Sequence, residues 1–177
     1  MSLLPPIGEE IPCNMLAIDT PLKIRTSSIT TDFRGGIKHR VVDNPDDPAN
    51  SVRMMTVRFK ISAELPDPNG DGGGGSITIE QNDVDVEPKS LLRVTQDSPP
   101  KFEHIMVLDF TMTIDGGDGR PLILATEDPA TLIGELTQYP PKGDLYQLQN
   151  PVDLIDVEDP DTAVATLHKL PVKINGL

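Results

Sequence analysis

The stretch from Phe102 to Ile114, FEHIMVLDFTMTI, decides the fold class of this chain. Its even-numbered positions hold apolar residues and one histidine, whereas its odd-numbered positions include Glu103, Asp109 and Thr111. Alternation with a period of two is typical of a β-strand with one buried face. The stretch from Met55 to Leu65 alternates in the same way, with its odd-numbered positions predicted to be buried. Two such strands predict an antiparallel sheet that buries one face.

The chain holds 18 prolines and 14 glycines, and most of them lie in clusters between the periodic segments. This distribution is typical of a sheet protein with many turns. We therefore predict an all-β fold, a mainly antiparallel β-sandwich of about seven to nine strands. One short helix is predicted near 129–139, because Asp128 can cap it, Pro129 suits its first position and Pro140 ends it. The segment 162–174 fits a strand better than a helix, although both remain open.

The length of 177 residues is sufficient for one domain with a core of its own. Residues 1–21 contain four prolines around short apolar patches, which predicts a Pro-rich amino-terminal arm with little regular structure. The remaining residues, 22–177, are predicted to form a single β-sandwich domain.

The net charge of −13 argues against nucleic acid as a partner, because the chain would repel phosphate backbones and its 15 Lys and Arg are scattered along the sequence. No stretch is long and apolar enough for a membrane span, and no signal peptide is visible. The single cysteine, Cys13, slightly favours the cytoplasm, with export as the alternative if the native amino terminus differs. A protein partner is compatible with the sequence, as are a monomer and a homodimer.

One short motif carries metal chemistry. Asp67, Asn69 and Asp71, followed by Gly72, have the spacing that opens a calcium loop, where alternate side-chain oxygens converge on one cation. Thr78 stands where an EF-hand needs a closing glutamate, so an EF-hand is rejected. The alternative interpretation is a solvated hairpin loop whose Asp and Asn residues tolerate turn conformations.

Further carboxylates are predicted to join that loop. In an antiparallel sheet, loops separated by an even number of strands share an end. A simple strand count then brings the loops at 67–75, 115–119 and 156–161 together. The predicted metal site consists of Asp67, Asn69, Asp71, Asp115, Asp118, Asp156 and Glu158. Calcium is its expected ion, and no other cofactor is predicted.

The three histidines match no zinc signature in their spacing. His39 is predicted to lie in a loop, and His104 and His168 on the buried faces of strands. Such histidines are more often hydrogen-bonded core residues than ligands. The two could meet only if their strands were neighbours.

No catalytic motif is present: a Gly-x-Ser-x-Gly elbow and a phosphate-binding loop are both missing, and Cys13 has no nearby cation to lower its pKa. The chain is therefore predicted to be a non-catalytic structural or interaction module that works through sheet edges, the arm and loops. The first alternative is a module stabilised by calcium. The second is an enzyme or carrier with an apolar cavity lined by Met and Phe residues.

Overall fold

The computed structural model describes residues 3–65, 75–83, 87–116 and 121–177. Thirteen β-strands make up its regular structure, and none of the described residues is helical. The strands are β1 (Glu10–Ile24), β2 (Ser27–Asp43), β3 (Ser51–Glu64), β4 (Ser76–Gln81), β5 (Ser90–Asp97), β6 (Pro100–Leu108), β7 (Phe110–Asp115), β8 (Leu122–Thr126), β9 (Ala130–Leu136), β10 (Lys142–Leu148), β11 (Val152–Asp156), β12 (Asp159–Leu167) and β13 (Val172–Gly176).

All thirteen strands belong to one antiparallel sheet, so the prediction of a sandwich of seven to nine strands is wrong. The all-β, antiparallel class is confirmed. A sandwich and a closed sheet both bury one face of every strand, and alternation along the sequence therefore cannot tell them apart. The long-range pairing of β1 with β12 and β13 distinguishes the closed sheet from a sandwich.

That pairing closes the sheet. β1, β2 and β3 are long, and the other ten strands lie end to end in five pairs, β4 with β5, β6 with β7, β8 with β9, β10 with β11 and β12 with β13. The result is a ring of eight antiparallel runs in which each strand has a neighbour on both sides. The free sheet edges on which the interaction-module hypothesis relies are therefore absent from the described strands.

The short helix predicted near 129–139 is replaced by β9, which pairs with β6 and β10. Its buried positions are Ala130, Leu132, Gly134 and Leu136, which alternate as a strand requires. Leu132 and Leu136 are four residues apart, a spacing that fits both a helix and the period of two of a strand. Pairing with β6 and β10 on either side favours the strand. The segment 162–174 is extended, as preferred, in β12 and β13.

The irregular arm predicted over residues 1–21 is also wrong from Glu10 onward, because β1 begins there. Ile11, Cys13, Met15 and Ala17 are buried in alternation, a strand pattern that the neighbouring prolines obscured. At Ile18 and Asp19 the register with β2 shifts, and Asp19 has a φ of 54°. This bulge lets one long strand bend along the wall of the closed sheet.

A second bulge corrects the predicted buried face of β3. Lys38 pairs with Arg58 but His39 pairs with Thr56, so Val57 is the extra residue. The buried positions are Val52, Met54 and Thr56 before the bulge, and Phe59, Ile61 and Ala63 after it. Met55 and Val57 are consequently only partly buried, because a bulge reverses the parity of every residue on one side of it.

The long stretch from Phe102 to Met112 keeps its predicted parity across both β6 and β7. The chain leaves the strand conformation at Asp109, where one run passes from one half of the ring to the other. The interior of the half that contains β4, β7, β8, β11 and β12 is filled by apolar residues such as Ile79, Phe110 and Leu124. We call this the apolar half.

The other half contains β5, β6, β9, β10 and β13, and its interior includes buried polar residues. We call this the polar half; His39, Thr56, Ser90, His104 and Tyr146 are buried there. In the described part of the chain, no helix has the length and hydropathy needed to cross a membrane.

Candidate ligand site inside the polar half

One row of residues across three neighbouring strands places the central pair of the site. Gly134 on β9 lies opposite His104 on β6 and opposite Tyr146 on β10. All three are buried, and inward-facing positions of adjacent strands are about 4.8 Å apart. His104 and Tyr146 are therefore separated by a whole strand, at a position where that strand has no side chain.

The absence of a side chain at Gly134 lets the Tyr146 ring lie across β9. A Cβ atom at Gly134 would lie 2.8 Å from Cδ1 of Tyr146, so the ring rests directly on the glycine. The Tyr146 hydroxyl reaches His104 Nδ1 at 2.6 Å, with the two ring planes at 81°. This hydrogen bond fixes both side chains inside the closed sheet.

Two further rings complete the cluster. His39 follows the bulge in the pairing of β2 with β3, and its ring centroid lies 5.3 Å from that of His104. Tyr139, in the connection between β9 and β10, has its ring centroid 5.6 Å from His104 at an interplanar angle of 86°. His104 thus contacts three rings edge to face, an arrangement that aromatic rings favour.

Four buried polar atoms of this cluster have no hydrogen-bond partner among the described residues. They are Nδ1 and Nε2 of His39, Nε2 of His104 and the hydroxyl of Tyr139. His39 and His104 are each only 1% exposed. Buried polar groups in folded proteins are nearly always hydrogen-bonded, and leaving one unsatisfied costs about 1–3 kcal/mol. Four such atoms in one cluster therefore mark a place that is built to hold hydrogen-bonding groups.

Burial keeps the cluster uncharged. It lowers the pKa of His39 to about 4 and, together with His39 itself, holds the pKa of His104 well below its usual range. Burial raises the pKa of Tyr139 and of Tyr146 above that of a free phenol. At neutral pH the site therefore offers two neutral imidazoles and two neutral phenols. Each imidazole has one N–H donor and one nitrogen acceptor.

Apolar residues flank this cluster along the same strands. Phe102 and Met106 lie two residues to either side of His104, and Leu132 and Leu136 lie two residues to either side of Gly134. All four are buried. Burial raises the pKa of the Cys13 thiol, which is also inside this half, to about 11, so the thiol is protonated at neutral pH. The site combines a few polar atoms with mainly apolar walls, which is typical of small-molecule sites.

Sequence reasoning located only part of this cluster. His104 has the predicted buried position, but His39 lies in β2 instead of a loop, and His168 is exposed. His104 meets His39 and not His168. The alternation of Ile37, His39 and Val41 could have revealed the buried strand position of His39, whereas nothing local marks Tyr139 and Tyr146.

Four of the seven predicted calcium ligands lie outside the described part of the chain. They are Asp67, Asn69, Asp71 and Asp118. Asp115 ends β7 and Asp156 ends β11, and the Glu158 N–H donates to Asp156 Oδ1 at 2.9 Å. Within the described ranges, no three His, Cys, Asp or Glu residues form a group that could hold a metal ion. The site remains a prediction.

The strand pairing shows where the described strand ends next to these acidic segments lie. Asp115 on β7 lies opposite Ser76 on β4, which follows the loop at 67–75, and Asp156 on β11 pairs with the start of β12. The sheet continues from β7 through β8 to β11. The described ends of β3, β7 and β11 therefore lie at the same end of the sheet.

No protein-family model matches this chain, and no curated protein matches it in sequence. Among solved structures, the chain is similar to that of DynF from the dynemicin biosynthesis pathway of Micromonospora chersina, with a TM-score of 0.71 and 20% sequence identity. The match covers 98% of this chain and 83% of DynF. At this identity the likeness establishes a shared fold.

Proposed function

We propose that this protein binds a small, largely apolar molecule inside the polar half, and that His39, His104 and Tyr139 form hydrogen bonds with it. The observation that carries the proposal is the set of four buried polar atoms without partners among the described residues. A closed sheet of eight strands has an interior just wide enough to be filled by side chains or to hold one small ligand. This proposal develops the carrier alternative.

The electrostatics of the cluster favour binding over proton transfer. A general acid or base works best with a pKa near the working pH, whereas burial moves the pKa of His39 down to about 4 and those of both tyrosines upward. Neutral donors and acceptors in an apolar surrounding are instead well suited to recognising an uncharged polar group. The expected ligand is therefore uncharged, with a hydroxyl or carbonyl group on an apolar body.

The fold shared with DynF is compatible with a small-molecule binding role. DynF comes from the dynemicin biosynthesis pathway. The similarity extends over nearly the whole of this chain, so both halves of the closed sheet have counterparts in DynF. The polar cluster, and not the likeness, carries the proposal.

Two probes of nearly equal size, 2-naphthol and 2-methoxynaphthalene, test the proposed binding site. Only 2-naphthol has a hydroxyl donor. We expect 2-naphthol to raise the melting temperature by several degrees and the ether to raise it less, since a neutral imidazole nitrogen can accept the hydroxyl proton. The difference should disappear in His39→Leu. Replacing an unsatisfied buried imidazole by an apolar side chain should not prevent folding.

Met112→Leu in the apolar half is the matched control, because Met112 is fully buried but lies away from the polar cluster. This variant should keep the preference for 2-naphthol. The proposal is contradicted if neither probe shifts the melt, or if His39→Leu retains the preference. Buried water would then be the partner of the four polar atoms.

A further inference from the structure

Four basic side chains gather on the outer face of the closed sheet, although the chain as a whole has a net charge of −13. They line a groove of about 440 Å³ on the shared wall of β1, β2 and β3. The four are Arg34, Lys38, Arg58 and Lys60, and no Asp or Glu is among the lining residues that the structure describes. This cluster is not visible in the sequence, because the four positions are spread over 27 residues of the chain.

Gly36 lies at the centre of the groove, opposite Asn14 on β1 and Lys60 on β3. Arg34 and Lys38 are two residues to either side of it on the same strand, and Lys38 is directly opposite Arg58. Positions two apart on a strand share a face, so all four cations point outward around Gly36. Because Gly36 has no side chain, the backbone forms the floor of the groove.

The cations are poorly compensated by carboxylates. Lys38 Nζ lies 3.4 Å from Glu10, but none of the ion pairs within the described ranges includes Arg34, Arg58 or Lys60. Glu80 is opposite Lys60 on β4, yet it forms no ion pair with it. Like charges directly opposite each other on neighbouring strands are destabilising. An arrangement that weakens the sheet in an acidic protein points to a role in binding.

We propose that this groove binds a small multivalent oxyanion that bears phosphate or carboxylate groups. Arg34 and Arg58 supply the planar donors that pair with such groups in a bidentate manner, and Lys60 supplies a third charge without a carboxylate partner. Asn14 and Ser62 add uncharged hydrogen-bonding groups at the border. The groove has the volume of a small-ligand site, and it lies on the outer face, separate from the cluster inside the polar half.

Isothermal titration of the full chain with pyrophosphate and with citrate at low ionic strength tests the proposal. We expect saturable binding of at least one of them, and at least about a tenfold loss of affinity in the double variant Arg34→Gln, Lys60→Gln. Both substituted residues are exposed, so the variant should fold normally. Tighter binding of pyrophosphate would identify phosphate as the recognised group, and tighter binding of citrate would identify carboxylate.

The matched control is the double variant Lys23→Gln, Lys173→Gln, which removes the same charge from exposed positions outside the groove. It should bind like the unmodified protein. Absence of binding for both anions overturns the proposal, and so does an equal loss of affinity in both double variants, since overall charge alone would then explain the binding. Binding of 2-naphthol should be unchanged in all of these variants, which separates this result from the test of the interior site.

Discussion

The hydroxyl of Tyr146 lies 2.6 Å from His104 Nδ1, although the two residues belong to strands that are not neighbours. β9 runs between them and contributes Gly134 to the same row. A glycine that would be a weak point in an ordinary strand is here what allows the hydrogen bond.

Gly134→Ala should destabilise the protein by about 1–3 kcal/mol, because the added methyl group would lie 2.8 Å from the Tyr146 ring and force it to move. Urea unfolding of the variant measures the loss. In a Tyr146→Leu background the same substitution should cost clearly less, since the shorter side chain leaves room for the methyl group. Equal costs in the two backgrounds would show that Tyr146 does not rest on Gly134.

Tyr146→Phe should cost about 1–3 kcal/mol of unfolding free energy, because it leaves His104 Nδ1 buried without its partner. Tyr139→Phe is the matched comparison, since the Tyr139 hydroxyl has no partner among the described residues. In the unliganded protein that substitution should be nearly neutral or stabilising. A similar loss in both variants would contradict the assigned hydrogen bonding.

Acid should destabilise the protein through His39. Its pKa is about 4 in the folded state and near 6.5 when exposed, so the unfolded chain takes up a proton first as the pH falls. The contribution of His39 to stability is therefore fully present above about pH 6.5 and is lost progressively toward pH 4, by about 3 kcal/mol. Carboxylates titrate in the same range, so the comparison must be made with His39→Leu.

The measurement is the free energy of unfolding of both proteins between pH 7.5 and pH 4. The two stabilities should move apart as the pH falls, with His39→Leu losing less. If their difference stays constant across this range, the His39 imidazole is not held in its neutral form by burial.

The calcium hypothesis predicts that millimolar calcium raises the melting temperature of metal-stripped protein by several degrees, while magnesium does not. Asp115 and Asp156 end β7 and β11 at the same end of the sheet, as this hypothesis requires. Asp156→Asn should reduce the calcium shift. An equal shift with magnesium would indicate charge screening, and the acidic loops would then be solvated turns.

The fold class could be read from the sequence because alternation in stretches such as Phe102 to Met112 reports directly on a buried face. The closure of the sheet could not be read, since it depends on β1 meeting β12 and β13 about 150 residues later in the chain. The predicted buried face of β3 is correct only after Val57. The bulge at Val57 depends on the pairing with β2. Local patterns cannot reveal a bulge of this kind.

The same limit applies to the candidate site. His104 stood out as a polar residue on an apolar face, but its partner Tyr146 is 42 residues away and reaches it over Gly134. Tyr139 lies in the connection between β9 and β10, whereas the sequence pattern predicts that it ends the helix near 129–139. The site is made by register between distant strands, and such register is set by the whole sheet.

The pairing of Cys13 with Gly176 has a consequence for how the protein is made. During synthesis β1 emerges long before β12 and β13, so the flank of β1 that pairs with them stays without hydrogen bonds until those two strands have left the ribosome. A nascent or carboxy-terminally shortened chain therefore exposes a strand that can pair with another molecule. Folding should be slow, because closing the sheet requires pairing between strands that are far apart in the sequence.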